Sequence, residues 1–222
     1  MTKHVKQLGW WIFFLISALY AVFSFYMGGL ETLSLLGIEV DTPHRAAPIL
    51  FVVHALSGGV ALISGPLQFN RRILSKKRKV HRLIGRMYVG AIWISSFGGL
   101  WSAIFFDVNL AAKVAFGVLA VLWFSTTTIA LLRIRERKVV EHREWMIRSF
   151  SLSLFVVTFS FWVPGLASTN LPEGIGYPLA VFLSWSLNLL VGEIWIRRTR
   201  PRFSGHTASG KPVWPGNNLV RG

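Results

Sequence analysis

Residues 48–69 read PILFVVHALSGGVALISGPLQF, a run of 22 residues without Asp, Glu, Lys or Arg. An α-helix needs about 20 mainly apolar residues to cross the hydrocarbon layer of a bilayer. The run therefore predicts a membrane-spanning helix, and with it a membrane fold.

Five further windows of the same kind flank this run. The chain has 222 residues, of which 53% are hydrophobic and nine are acidic, and its mean hydropathy is +0.51. Such a composition is typical of a membrane protein. The other windows are residues 8–27, 83–106, 114–132, 149–167 and 178–196. We expect one all-α domain, residues 1–196, that is a polytopic bundle of six transmembrane helices.

The placement of Lys and Arg predicts the orientation of this bundle. Of the 24 basic residues, only Arg45 and Lys113 fall on one side of the proposed spans. Short loops rich in Lys and Arg stay in the cytoplasm, so both termini are expected there, in the bacterial cytoplasmic (inner) membrane. The basic tail, residues 197–222, is expected to be disordered or to lie on anionic headgroups.

Topology accounts for the net charge of +15, so nucleic acid is not an expected partner. The first window is longer than the apolar region of a typical signal peptide and is read as an uncleaved helix. Because the chain has no cysteine, disulfides, thiolate metal sites and iron–sulfur clusters are excluded.

Three histidines lie inside or at the ends of spans. His54 shares a face of the second span with small residues, which favours either close helix packing with a hydrogen-bonded imidazole or a ligand role. His81 opens the third span, with Gly85 and Tyr88 following at helical spacing. His142 opens the fifth, followed by Trp145. His81 and His142 are expected at similar depth near the cytoplasmic face, unless they merely titrate among headgroups.

Charged residues accompany these histidines. Arg82 and Arg86 lie one turn apart on the third span, while Glu193 is the only acid in the sixth. A charge near the membrane needs a partner, so Arg86 or Arg148 is expected to pair with Glu193, although a snorkelling arginine is the simpler alternative.

Four motifs follow one another along the chain: HALSGGVALISGPLQF from residue 54, HRLIGRMYV from 81, HREWMIRSFSLSLFVVTFSFW from 142, and WSLNLLVGE from 185. They resemble the successive motifs of a bacterial membrane-protein family known as domain of unknown function 2306. The resemblance covers about residues 50–195 and brings no established reaction. Phe161 stands about where the family pattern has an arginine. Position by position, the resemblance singles out His54, His81, Arg82, Gly85, Arg86, Tyr88, His142, Trp145, Met146, Arg148, Trp185, Asn188 and Glu193.

Two imidazoles from two helices, with a glycine nearby where a flat macrocycle could approach, are what a b-type haem requires. His81 and His142 fit this description, as in transmembrane cytochromes that exchange electrons with ascorbate or quinone. The same histidines could instead bind a metal ion. The main alternatives are a small transporter, in which the cationic cluster receives an anionic solute or lipid, and an accessory subunit of a membrane complex. No catalytic residue is assigned.

Overall fold

The computed structural model describes residues 3–39 and 48–200, without the side chains of residues 3–6, 71 and 72. Within these ranges the chain forms eight α-helices and no strand. The helices are α1 (Lys3–Leu35), α2 (Pro48–Gln68), α3 (Arg71–Lys76), α4 (Arg78–Phe105), α5 (Leu110–Arg135), α6 (Val139–Ser153), α7 (Phe155–Ala167) and α8 (Gly176–Thr199). In the described part, six segments are long and apolar enough to cross a membrane: α1, α2, α4, α5, α6 with α7, and α8. The predicted all-α bundle of six transmembrane helices is confirmed.

An even number of crossings brings the start of α1 and the end of α8 to the same end of the bundle. The α2–α4 and α5–α6 connections, which carry many of the Lys and Arg residues, lie at this end too. We call it the basic end. The side of the membrane that it faces remains a prediction from the sequence.

The helices of the spans are longer than most of the predicted windows, most clearly at the end of α1, and α8 runs into the predicted tail. α1 continues to Leu35, well past residue 27, and α8 continues to Thr199, past residue 196. The first residues assigned to the tail are therefore helical. The rest of the predicted tail, residues 201–222, lies outside the described residues.

The fifth span is broken near its middle. α6 ends at Ser153 and α7 begins at Phe155, so Leu154 stands between two helices. The main-chain N–H groups of Val157 and Thr158 both bond to the Leu154 carbonyl, at 3.1 and 3.3 Å. The Ser153 hydroxyl donates to the Ser149 carbonyl at 3.2 Å. Hydroxyls that bond back to carbonyls of the preceding turn tend to bend helices, which accounts for a break without glycine or proline beside it.

Two helices end in the same backbone motif. At the end of α1, Gly37 has φ +82°, and the N–H of Ile38 bonds to the Leu33 carbonyl at 3.1 Å. At the end of α5, Arg137 has φ 60°, and the N–H of Lys138 bonds to the Arg133 carbonyl at 2.9 Å. Both are Schellman caps, which need a left-handed residue at this position. Glycine adopts that conformation freely, whereas Arg137 adopts it at a steric cost.

α1 packs mainly against α2 along its length. Three side chains of α1, spaced seven residues apart, donate hydrogen bonds to main-chain carbonyls of α2. Trp10 Nε1 lies 3.3 Å from the Pro66 oxygen. Ser17 lies 3.0 Å from the Leu62 oxygen and Ser24 lies 2.7 Å from the Ala55 oxygen. This donor row holds the two helices together as an antiparallel hairpin.

The centre of the bundle is formed where α2, α4, α5 and α6 meet. Glycines allow the close approach: a Cβ atom at Gly65 of α2 would overlap the Phe150 ring of α6, and one at Gly98 of α4 would lie 2.9 Å from the Leu50 carbonyl of α2. Small residues at helix contacts are characteristic of membrane bundles. Tyr88 and Phe150 fill the space between the four helices.

Candidate functional site

α4 and α6 both start at the basic end and run in the same direction, and one hydrogen bond fixes their register. The phenol of Tyr88 on α4 lies 2.9 Å from the Ser149 hydroxyl on α6. His81 precedes Tyr88 by seven residues, and His142 precedes Ser149 by seven. Because an α-helix rises about 1.5 Å per residue, both histidines lie about 10 Å nearer the basic end than this bond. They are therefore at the same depth.

The helices that carry the two histidines are not packed directly against each other. Both α4 and α6 are fully described, and each instead packs against α2 and α5. Side chains nevertheless connect the two helices, since Tyr88 of α4 reaches the Ser149 hydroxyl and the Phe150 ring of α6.

One hydrogen bond orients the His142 ring. Its Nδ1 lies 2.8 Å from the main-chain carbonyl of Ala130 on α5. Since a carbonyl oxygen only accepts, Nδ1 carries the proton and donates it, and Nε2 of the neutral ring keeps a lone pair. Within residues 3–39 and 48–200, Nε2 has no hydrogen-bond partner. Histidines that bind metals are commonly held in this way.

The His81 side chain makes no hydrogen bond to any described residue. Its Nδ1 is buried without a partner there, a costly arrangement for a polar atom. Only the main chain of His81 is engaged, where the carbonyl accepts from Gln68 Nε2 at 3.5 Å. Hydrogen bonding among the described residues thus does not explain why this position holds an imidazole.

Gln68, in the last turn of α2, stands beside these groups. A Cβ atom added at Gly85 would lie 3.3 Å from Gln68 Oε1. The buried carboxamide of Gln68 thus covers Gly85. From the sequence, Gly85 was the expected place for a flat macrocycle to approach. Sequence reasoning passed over Gln68, whose only signal is an amide at the end of an apolar run.

Deeper in the bundle, Tyr88 belongs to a buried network of five side chains. Its phenol approaches Ser149, whose hydroxyl lies 2.7 Å from that of Thr127. Thr127 reaches the Trp123 carbonyl at 2.8 Å. The Trp123 indole donates to the Ser153 hydroxyl at 2.9 Å, and Ser153 donates to the Ser149 carbonyl.

Each hydroxyl has one proton, so this network has a direction. Thr127 uses its proton on a carbonyl, and Ser149 must therefore donate to Thr127. Tyr88 is left to donate to Ser149. Every donor is used, so the network is satisfied within the chain and joins α4, α5 and α6.

His54 lies farther from the basic end, between α2 and α4. Its Nδ1 lies 2.8 Å from the Ser95 carbonyl of α4, and the Ser95 hydroxyl donates to the His54 carbonyl at 2.9 Å. A Cβ atom at Gly99 would lie 2.7 Å from the same Nδ1. This is the interhelical packing geometry that a structural histidine would have.

The cations near the site have different surroundings. Arg148 bonds to Glu193 of α8 at 2.8 Å, and its guanidinium lies 4.6 Å from the centre of the Trp145 ring. Arg82 and Arg86 are exposed on α4. Of the two predicted candidates, Arg148 is therefore the partner of Glu193, which also pairs with Arg197 at 3.6 Å.

Of the remaining residues singled out by the resemblance, Met146 is buried in the core on α6, and Trp185 and Asn188 lie on α8. Asn188 Nδ2 donates to the Thr158 hydroxyl at 3.0 Å, across the helix contact. The Trp185 indole nitrogen is buried and has no acceptor among the described residues. Phe161, which replaces an arginine of the family pattern, is 68% exposed on the outer surface of α7.

A bare metal ion normally takes three or four protein ligands. In the described part of the chain, no group of three or more His, Cys, Asp or Glu residues is placed to hold one. A haem needs fewer ligands from the protein, because its macrocycle supplies four nitrogens.

Comparison with known proteins gives one match. A family model described as "Predicted membrane protein (DUF2306)" matches residues 51–196. The match runs from the first turns of α2 into the last turns of α8 and so includes every helix of the candidate site. No curated protein and no solved structure matches the chain.

Proposed function

Since the chain belongs to the DUF2306 family of predicted membrane proteins, we propose that it is a membrane redox protein that binds a b-type haem between His81 and His142. One observation carries this proposal. The two histidines lie at the same depth on parallel helices, because Tyr88 and Ser149 are hydrogen-bonded seven residues farther along each helix. The main chains of these two helices are not closely packed against each other.

The state of the two rings supports the proposal that they would hold the haem iron. The Ala130 carbonyl fixes the proton of His142 on Nδ1 and leaves Nε2 as a free lone pair, the form in which imidazole binds iron. His81 makes no side-chain hydrogen bond within the described residues. A haem ligated by two imidazoles supplies one-electron transfer, and a quinone or another redox protein is the proposed electron partner.

The other site residues would act around these ligands. Gln68 closes the side of Gly85 and presents an amide next to His81. The Tyr88 network maintains the register of α4 and α6. Arg148 contacts Glu193 and Trp145 and would cover the proposed site on the side of α8.

The proposed location is the bacterial cytoplasmic membrane, with the basic end in the cytoplasm. The distribution of Lys and Arg supports this orientation. The haem would then lie near the cytoplasmic face.

An absorption spectrum of the purified protein tests the proposal. Protein from haem-replete cells should show the bands of a low-spin b-type haem, and they should shift on reduction with dithionite. His81→Ala and His142→Ala should each lose these bands while the protein still inserts into the membrane. The matched control, His206→Ala in the basic tail, should keep them.

Wild-type protein without haem absorbance would overturn the proposal. Stoichiometric metal in such protein would move the assignment to a metal centre. Without either, the accessory-subunit and anion-transport hypotheses would be the better ones.

A further inference from the structure

At the basic end, charge compensation is confined to one side of the bundle. Its four carboxylates belong to the α5–α6 turn, α6 and α8. Their ion pairs are Glu136 with Arg133 at 2.8 Å and with Lys138 at 2.9 Å, Glu141 with Arg133 at 3.0 Å, Glu144 with Arg200 at 2.9 Å, and Glu193 with Arg148 at 2.8 Å and with Arg197 at 3.6 Å. The hydrogen bonds from Lys138 and Arg133 lower the pKa of Glu136 below its usual range, so these groups stay charged together.

The opposite side of the same end is cationic throughout. From the end of α3 into α4, six side chains are exposed and form no ion pair with a described carboxylate: Lys76, Lys77, Arg78, Lys79, Arg82 and Arg86. The chain has nine acidic residues. Apart from the four already paired, they all belong to the connections at the other end of the bundle or to the end of α1: Glu31, Glu39, Asp41, Asp107 and Glu173. Countercharge for this surface must come from outside the chain.

The apolar neighbours of these cations indicate where that countercharge lies. Leu83 is 59% exposed and Met87 is 51% exposed. They directly follow Arg82 and Arg86, so the two arginines border the lipid-facing surface of α4. Long basic side chains in such a place extend their charges to the headgroup layer.

We propose that Arg82 and Arg86 bind the phosphate of an anionic phospholipid whose acyl chain lies along Leu83 and Met87. A lipid matches both halves of this surface, because its phosphate meets the guanidinium groups and its hydrocarbon covers the exposed apolar side chains. An acidic soluble protein or a free phosphate would match only the charges. The proposal is independent of haem binding.

The test measures lipid selectivity. The purified full-length chain is placed in bilayers of equimolar phosphatidylglycerol and phosphatidylcholine, and spin-labelled forms of each lipid report their association with the protein. Wild type should prefer phosphatidylglycerol. A cation near an anionic headgroup contributes on the order of 1 kcal/mol at low ionic strength, so Arg82→Gln with Arg86→Gln should lower the preference by about 5-fold to 30-fold.

The matched control is Arg133→Gln with Lys138→Gln, which removes two charges from the same end at carboxylate-paired positions. It should keep the wild-type preference, as should the charge-conserving pair Arg82→Lys with Arg86→Lys. The proposal is wrong if the Arg82 and Arg86 variant keeps its preference, or if the control loses as much, since net charge alone would then explain it. If inorganic phosphate reduces the preference more than sodium chloride of equal ionic strength, the site binds a free anion instead.

Discussion

The hydroxyl of Tyr88 links α4 to Ser149 of α6, and its removal has a predictable cost. Tyr88→Phe leaves the buried Ser149 oxygen without its donor, so the free energy of unfolding should fall by about 1–2 kcal/mol. Denaturation of the purified protein in detergent micelles measures this change. Tyr26→Phe makes the same chemical change at a side chain that is 60% exposed, and it should have little effect. Equal losses in the two variants would mean that the network contributes nothing specific.

At the residue scale, sequence reasoning predicted what depends on position along a helix. The similar depth of His81 and His142 follows from where each span begins. Sequence reasoning could not identify Gln68 or Thr127, because the contacts of these two side chains depend on which helices pack against each other. Neither residue is charged, Gln68 is an ordinary amide at the end of the first motif, and only the bundle brings the two residues beside His81 and Ser149.

Between helices, the ion pair of Arg148 with Glu193 is a contact whose contribution to the free energy of unfolding can be measured separately. Both side chains are partly shielded, with 19% and 31% exposed, so we expect a coupling free energy of about 1 kcal/mol between Arg148→Gln and Glu193→Gln in a double-mutant cycle. The cycle of Glu193→Gln with Arg86→Gln is the control and should show almost none. Coupling to Arg86 in place of Arg148 would contradict the observed pairing.

From charge balance alone, Arg86 and Arg148 were equal candidates for the partner of Glu193. Only the packing of α6 against α8 in the bundle distinguishes them. The break at Leu154 was missed for a related reason. Hydropathy reports whether a segment is apolar enough to cross a membrane, but it does not report whether the helix is continuous. The only sequence signal was the alternation of serines before Leu154, which also fits an unbroken helix with a polar stripe.

For the whole molecule, the orientation prediction can be tested directly, since the chain has no native cysteine. Single cysteines at four exposed positions, Ser75, Lys138, Asp107 and Asn170, report both ends of the bundle. If the basic end is cytoplasmic, an impermeant maleimide added to intact cells should label only Asp107→Cys and Asn170→Cys. Lysed cells, in which all four should react, are the control. Labelling of Ser75→Cys or Lys138→Cys in intact cells would reverse the orientation.

The number of spans and the fold class were predictable because the bilayer imposes a minimum length on every crossing helix. The arrangement of the spans was not, since lipid-facing and buried apolar residues are chemically alike. Within α4, Ile92 is fully buried while Ile94 is 54% exposed, and composition cannot distinguish the two positions.

The donor row on α1 has a consequence for biogenesis. Trp10, Ser17 and Ser24 take their acceptors entirely from α2, and α1 and α2 are synthesised before the helices that carry His81 and His142. The first hairpin can therefore assemble at the translocon while the rest of the chain is still in the ribosome, with these polar side chains already paired. It would then present the surface of α2 on which α4 packs as that helix enters the bilayer.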